Sequence, residues 1–304
     1  MSTTIAAAMP FRGDRLEAPT LAGLLAFVAA LQVSIAASGI LLAVTILCWL
    51  GCVATHQERV EVPRMFWPLA AYAGVTVLSA IFSADPALSL TDCKQLFLFL
   101  IVPIVYRVAR GERALTLTTV IITVGALSAV AGIVQYGILH YDNPGRRPQG
   151  ALSHYMTYSG TLMLVAGAAA ARLIYRQEDR IWAALVMPAV LVALALTFTR
   201  SAWVGACAAL AVLMVIKDRR LLAVLPVAAA LFIALAPARI TDRVYSMFDL
   251  NDPTNRDRVA MLQAGARMVA DHPITGLGPN MVRESYARYR VPTAVEPLNV
   301  HLHN

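Results

Sequence analysis

The residues best suited to chemistry in this sequence are three arginines and a histidine, each in a short polar stretch. Arg200 stands in Thr-Phe-Thr-Arg-Ser-Ala-Trp, at the junction of two apolar stretches. Arg147 belongs to the run Arg-Arg-Pro-Gln-Gly, and Arg258 follows Arg256 by two positions. His303 is the second histidine of the terminal His-Leu-His-Asn.

These side chains suit the chemistry of a diphosphate. A guanidinium offers paired donors to phosphate oxygens and keeps its charge at any physiological pH. An imidazole titrates near neutrality and can take a proton from a hydroxyl. Together they suit a reaction in which a lipid-linked diphosphate leaves and a hydroxyl attacks.

Each of these features also has a purely structural interpretation. Arg200 could be a helix-end arginine that extends its charged head to the membrane surface. The stretches around Arg147 and Arg258 could be solvated loops. The two terminal histidines could be polar surface, since a third metal ligand is not evident near them.

The composition decides what must position these residues. Apolar residues make up 59% of the 304-residue chain, charged residues 14%, and the mean hydropathy is +0.65. A soluble protein with so few charges could not cover that much apolar surface. The sequence therefore predicts an all-α protein, a polytopic bundle of transmembrane helices in a lipid bilayer.

A spanning helix needs about 20 mostly apolar residues, and the sequence contains about nine such stretches. The first two are short and are either separate spans or one interrupted element. The predicted spans are 20–36, 39–54, 65–83, 89–106, 114–137, 155–174, 181–199, 201–216 and 221–237.

The basic residues favour one orientation of this bundle. With the N-terminal segment 1–19 in the cytoplasm, basic residues gather in alternate short connections, which is the positive-inside pattern. The net charge of +7 is thereby explained by topology, and no nucleic-acid partner is expected. Thirteen of the 25 basic residues fall on this side: Arg12, Arg15, Arg59, Arg64, Arg107, Arg110, Arg113, Arg172, Arg176, Arg180, Lys217, Arg219 and Arg220.

The bundle is expected to occupy residues 20–237, and the polar segment 238–304 is expected to lie on the opposite, outer side. Within it, 255–271 has helical spacing, with Val259, Leu262 and Val269 broadly on one face. This predicts an amphipathic helix over the outer mouth of the bundle. No metal or other cofactor is expected, because the four cysteines lie in apolar runs without ligand-like spacing.

Four passages, in order, resemble the O-antigen ligase and polymerase superfamily of bacterial envelope glycan transferases. They are Arg-Pro-Gln-Gly at 147–150, Thr-Arg-Ser-Ala-Trp at 199–203, the stretch from 258 to Gly-Leu-Gly at 276–278, and His-Asn at 303–304. The resemblance extends from about residue 147 to the C-terminus. Before that point only the hydropathy is similar.

The resemblance implies a GT-C-like glycosyltransferase that takes a glycan from undecaprenyl diphosphate without a metal or a nucleotide sugar. It implies that Arg200 and Arg258, and less directly Arg147, hold the diphosphate, and that His303 is the general base. In the ligase branch the acceptor is lipid A–core oligosaccharide, on the periplasmic face of the bacterial inner membrane. The displacement would invert the anomeric carbon.

Other functions remain open at this stage. A polysaccharide polymerase or a protein O-oligosaccharyltransferase would use the same donor chemistry. A secondary transporter or flippase of an anionic solute is the alternative from a different class, because such proteins also place arginines in wet cavities. Members of the superfamily continue with further spans after the His-Asn motif, so we expect this sequence to be a fragment of a longer chain.

Overall fold

The computed structural model describes residues 17–56, 60–143, 145–176, 180–249 and 251–297, and this part of the chain is built from helices. The single β feature in the described ranges is an isolated bridge between Asn143 and Arg146. The all-α, polytopic fold class predicted from composition is confirmed.

Thirteen α-helices and two 3₁₀ segments lie in the described ranges. The 3₁₀ segments, Cys93–Leu100 and Arg219–Ala223, lead directly into α5 and α10. The helices are α1 Glu17–Ala30, α2 Ile35–His56, α3 Phe66–Ile81, α4 Pro86–Asp92, α5 Ile101–Val108, α6 Glu112–Gly137, α7 Tyr155–Tyr175, α8 Arg180–Leu196, α9 Arg200–Lys217, α10 Val224–Leu235, α11 Ala238–Tyr245, α12 Pro253–Asp271 and α13 Val282–Tyr289.

Each of the nine predicted spans falls on a helix or on consecutive helical segments. The two short N-terminal stretches are separate helices that pack antiparallel, since Thr20 contacts Cys52 and Gly23 contacts Thr45. Five stretches are long and apolar enough to cross a membrane: Ile35–Thr55, Pro86–Val108, Glu112–Gly137, Tyr155–Tyr175 and Arg200–Lys217. Three further apolar helices are shorter: Glu17–Ala30, Phe66–Ile81 and Arg180–Leu196.

Small residues allow the central helices to approach closely, as is usual inside membranes. A Cβ on Gly125 of α6 would lie 2.5 Å from Val165 Cγ1 of α7, and one on Gly205 of α9 would lie 2.3 Å from Met163 Sδ. Alanines continue this packing through the core formed by α6, α7, α8 and α9. The outward faces stay apolar, with Ile181 78% exposed and Leu235 76% exposed. These faces are suited to contact lipid.

Connections from distant parts of the chain meet at one end of the bundle, which we call the site end. Ser89 Oγ donates to Pro279 O over 2.8 Å, and Arg239 Nη1 donates to Asp142 O over 2.8 Å. At the opposite end, the start of α1 is tied to the start of α6 by an ion pair between Glu17 and Arg113. Arg110 and Arg113, two of the basic residues of the sequence pattern, lie at this second end.

α12 covers the stretch predicted as an amphipathic helix, but the apolar face noted in the sequence is not the face that is buried in the structure. Val259, Leu262 and Val269 are exposed. The buried face instead presents Ala260, Met261, Ala264 and Met268, where α12 packs with Tyr286 and Tyr289 of α13. Apolarity alone could not choose between the faces, because the small residues opposite the valines allow the tyrosine rings to pack closely.

Candidate functional site

Three residues, 197–199, connect α8 to α9 and thereby set the position of Arg200. Phe198 has a positive φ of 53°, which is uncommon for a residue with a side chain and lets the backbone reverse at once. Thr197 Oγ1 donates to a carbonyl in the last turn of α8 and accepts from the N–H of Thr199. Arg200 therefore begins α9 inside the protein, with its side chain 5% exposed.

The buried guanidinium of Arg200 is held by the segment that follows the last apolar helix. Its Nη1 donates to Ser246 O over 2.8 Å and to Ser246 Oγ over 3.2 Å. Its Nη2 lies 3.1 Å from Asp252 Oδ1. Asp252 also caps α12 by accepting from the N–H groups of Thr254 and Asn255. Burial raises the pKa of Asp252, but the hydrogen bond and charge of Arg200 outweigh it, and the pKa is below its ordinary value.

Arg147 lies close enough to Arg200 for the two charges to interact. Its guanidinium carbon lies over the ring of Tyr155, 4.4 Å from the centroid, which is a cation–π contact. Burial lowers the pKa of Arg147, and the positive charge of Arg200 lowers it further against the opposing influence of Tyr155. The structure thus brings together two of the arginines singled out in the sequence.

The loop that carries Arg147 is fixed to α6 by Gln135. The Gln135 Nε2 donates to Gly150 O over 2.7 Å, and its Oε1 accepts from the N–H groups of Gln149 and Gly150 over 2.9 Å each. Gly150 has φ of +61°, and a Cβ there would lie 2.6 Å from the ring of Tyr158. The glycine of the Arg-Pro-Gln-Gly motif is therefore required by geometry.

A third arginine, which the sequence analysis did not single out, completes the cluster. Arg243 on α11 has a buried Nε without a hydrogen-bond partner among the described residues. Burial lowers the pKa of Arg243, and the charges of Arg200 and Arg147 lower it further, with partial opposition from Asp252. We refer to Arg147, Arg200 and Arg243 as the arginine cluster.

A cavity of about 470 Å³ opens beside the arginine cluster. Arg239 at its rim is occupied by an ion pair with Asp142, and the arginine helps to hold the pKa of that carboxyl below its usual value. The cavity is lined by Asn143, Phe198, Arg239, Asp242, Arg243 and Ser246. The lining holds the guanidiniums of Arg243 and of the paired Arg239 together with the carboxylate of Asp242. The charges of Arg200 and Arg147 also act on Arg243, so the surroundings carry an excess of positive charge, which favours an anionic ligand.

Arg258 is not brought into the arginine cluster. It is exposed on the second turn of α12, as is Arg256 two residues earlier. Within the described ranges no hydrogen bond, ion pair or ring contact joins Arg258 to Arg200 or Arg147. The expectation that Arg258 helps to hold a diphosphate stays a prediction.

His303 lies outside the described residues, as does His301, so the predicted general base has no described geometry. The chain leading towards it is anchored near the start of α12. The N–H of Glu296 donates to Asp257 Oδ1 over 3.1 Å, and Asp257 is buried. Glu296 stands seven residues before His303 in the chain, and Asp257 is the residue directly before Arg258.

The described residues contain no group of three His, Cys, Asp or Glu side chains that could hold an ion.

Of the site residues that the sequence analysis did not name, only some have a recognisable signal in the sequence. Asp252 carries a recognisable signal, because aspartate before proline is a common helix start. No sequence feature points to Arg243, because α11 has only eight residues and its sequence resembles a polar loop. Gln135 lies in the last turn of an apolar span and has no sequence feature that points to the 149–150 backbone.

These features define a polytopic helical membrane protein with an arginine cluster, built around the buried Arg200, at one end of its bundle. Residues 183–304 match the family model described as O-antigen ligase, and the match confirms the resemblance to the O-antigen ligase and polymerase superfamily. Arg200, Arg243 and Arg258 lie within the matched residues, and Arg147 lies before them. Comparisons with curated proteins and with solved structures find no match.

Proposed function

We propose that this protein transfers a glycan from undecaprenyl diphosphate to an acceptor hydroxyl. The observation that carries the proposal is the burial of Arg200 beside Arg147 and Arg243 at one end of a membrane bundle. Buried arginines in membrane proteins are costly and mark sites for anions or ion pathways. The family match supports an enzyme of the O-antigen ligase or polymerase type.

The reaction follows from these groups. The acceptor oxygen attacks the anomeric carbon of the glycan, and the bond from that carbon to the diphosphate oxygen breaks. The electron pair goes to the diphosphate, and the acceptor proton goes to the imidazole of His303. Attack opposite the leaving group inverts the anomeric carbon. Arg200 neutralises the charge that builds on the departing diphosphate, which is usually the largest contribution to such catalysis.

The other predicted residues have supporting roles. Arg147, stacked on Tyr155 and fixed through Gln135, adds positive potential and directs paired donors towards the ligand. Arg258 stands at the start of α12, where the chain towards His303 is anchored through Asp257. On the proposed mechanism Arg258 contacts the diphosphate when the donor is bound.

We place the reaction on the periplasmic face of the bacterial inner membrane, with lipid A–core oligosaccharide as the first-choice acceptor. The basic connections lie at the end opposite the arginine cluster, which supports a cytoplasmic location for that end. The polymerase and the protein O-oligosaccharyltransferase share the donor and differ only in the acceptor. The acceptor must therefore be identified by experiment.

The test is transfer in vitro from a purified undecaprenyl-diphosphate glycan to lipid A–core, to a second glycan and to a pilin-like protein, in parallel. We expect product with lipid A–core. Alanine at Arg200, Arg258 or His303 in the full-length protein should reduce transfer by about 100-fold or more, because each removes a contact made in the transition state. Membrane insertion should be unchanged.

The matched control is Arg267→Ala, which removes an exposed arginine from the same helix as Arg258. It should retain wild-type transfer. If all three site variants remain active, the mechanism is wrong. If no acceptor receives glycan while the lipid-linked donor moves between leaflets of vesicles, the protein is a flippase instead.

A further inference from the structure

Arg243 has an arrangement that a purely structural arginine rarely has. Its Nε is shielded from solvent and makes no hydrogen bond within the described part of the chain. A buried, unsatisfied charged donor is expensive, and such groups are retained where a ligand satisfies them. Arg243 also lines the cavity of about 470 Å³, together with Ser246 and Asp242.

The electrostatics at Arg243 are unbalanced. The charge of Asp252 opposes the lowering of the Arg243 pKa, but Asp252 is already bound to Arg200. The buried guanidinium of Arg200 and the partly buried guanidinium of Arg243 thus both act on Asp252, and the charge of Arg147 adds to the same positive potential. Repulsion among these like charges destabilises the protein when no ligand is bound. A dianionic ligand in the cavity would remove the imbalance.

The surroundings of α11 are consistent with a ligand that has both a charged head and a hydrocarbon tail. Ile240, on the same helix, is buried against Phe198 and faces an apolar groove of about 480 Å³ between α8 and α10. Phe198 lines the cavity on the other side. A charged cavity and an apolar groove therefore adjoin at one short helix, with Phe198 and Ile240 between them.

We propose that Arg243 is a further diphosphate-binding residue, which donates through its guanidinium to the diphosphate of the lipid-linked donor. The inference rests on the proposed function, and it adds a contact that neither the motif resemblance nor the sequence pattern assigned. Arg200 and Arg243 bind the diphosphate from two different elements, the start of α9 and the last turn of α11.

The experiment measures binding of farnesyl diphosphate, a short soluble analogue, to the full-length protein purified in detergent. Arg243→Gln should weaken binding by about 10-fold to 100-fold, the range expected for the loss of charge-assisted hydrogen bonds. Arg243→Lys keeps the charge without the planar fork and should lose less. Arg267→Gln, with the same loss of charge on an exposed site, should bind as wild type does.

Thermal unfolding without ligand separates binding from a structural role. Removing Arg243 relieves repulsion from Arg200 and Arg147, so Arg243→Gln should raise the Tm of the free protein while reducing the stabilisation by farnesyl diphosphate. A structural arginine would give a lower Tm in both Arg243→Gln and Arg243→Lys, and that result would overturn the inference.

The binding data also separate this inference from the proposed function. If Arg200→Gln abolishes binding and Arg243→Gln does not alter it, the role of Arg243 is refuted and the proposed function stands. If both variants bind farnesyl diphosphate as wild type does, the arginine cluster is not a diphosphate site and both proposals fail. Farnesyl monophosphate should bind more weakly and depend less on Arg243; equal dependence would contradict recognition of a diphosphate.

Discussion

At the scale of single residues, the site is defined by how few acidic side chains accompany the buried Arg200. Arg200 is almost fully buried, yet its partners among the described residues are one carboxylate and one serine. Removing one partner of a buried ion pair leaves an uncompensated charge, which costs more than the pair itself contributes. Asp252 therefore restrains Arg200 in the absence of ligand, and its charge state should affect the whole cluster.

Asp252→Asn should lower the stability of the free protein by about 2 to 3 kcal/mol at neutral pH. This loss of stability is small for the breaking of a buried ion pair, because asparagine can still cap α12. Since the pKa of Asp252 is lowered in the folded state, its contribution is present above the unfolded value of 3.8 and disappears as pH falls through the lower folded value. Thermal unfolding as a function of pH measures this.

The difference in Tm between wild type and Asp252→Asn should accordingly shrink below about pH 4. Asp249→Asn is the control, because the carboxylate of Asp249 is exposed and accepts from the nearby N–H of Asn251 rather than from an arginine. A constant difference between Asp252→Asn and wild type down to pH 2 would show that the charge of Asp252 does not hold Arg200.

At the scale of elements, the loop before α7 depends on a helix that precedes it in the chain. Gln135→Ala removes three hydrogen bonds to the backbone of residues 149–150 and should destabilise the protein by about 2 to 4 kcal/mol. Because Arg147 stands two residues before that anchor, we also expect about tenfold weaker farnesyl diphosphate binding. Calorimetry and a binding titration measure the two effects.

Gln95→Ala serves as the matched control, since Gln95 is exposed and donates to Asp92, which is three residues earlier in the chain. It should change neither property. Loss of stability in Gln135→Ala with unchanged binding would mean that Arg147 does not need this anchor to act on the ligand.

Hydropathy predicted the elements of this fold well, because a membrane imposes a length and a composition on every span. It also located the sharp junction at Arg200, where polar residues interrupt two apolar helices. It could not predict α11, whose eight residues are too short to give a periodic signal, or the buried face of α12. Both depend on tertiary contacts, with Phe198 and with the tyrosines of α13, that no local pattern records.

At the scale of the whole molecule, the two ends of the bundle differ in how their basic residues are arranged. The site end carries the arginine cluster and is covered by α11, α12 and α13. The opposite end carries the short basic connections, including Arg110 in an ion pair with Glu61 and Lys217 over the ring of Tyr175. A cytoplasmic location for this second end would place the arginine cluster on the periplasmic face, where a lipid-linked donor would be used.

Two single cysteines test that orientation. Arg267→Cys, exposed on α12, should react with a membrane-impermeant maleimide in cells whose outer membrane alone is permeabilised. Lys217→Cys, at the end of α9, should react only after the inner membrane is broken. The native cysteines lie within apolar helical segments and should give little background, which the unmodified protein measures. If Lys217→Cys reacts in the intact inner membrane and Arg267→Cys does not, the cluster faces the cytoplasm and cannot use a donor presented in the periplasm.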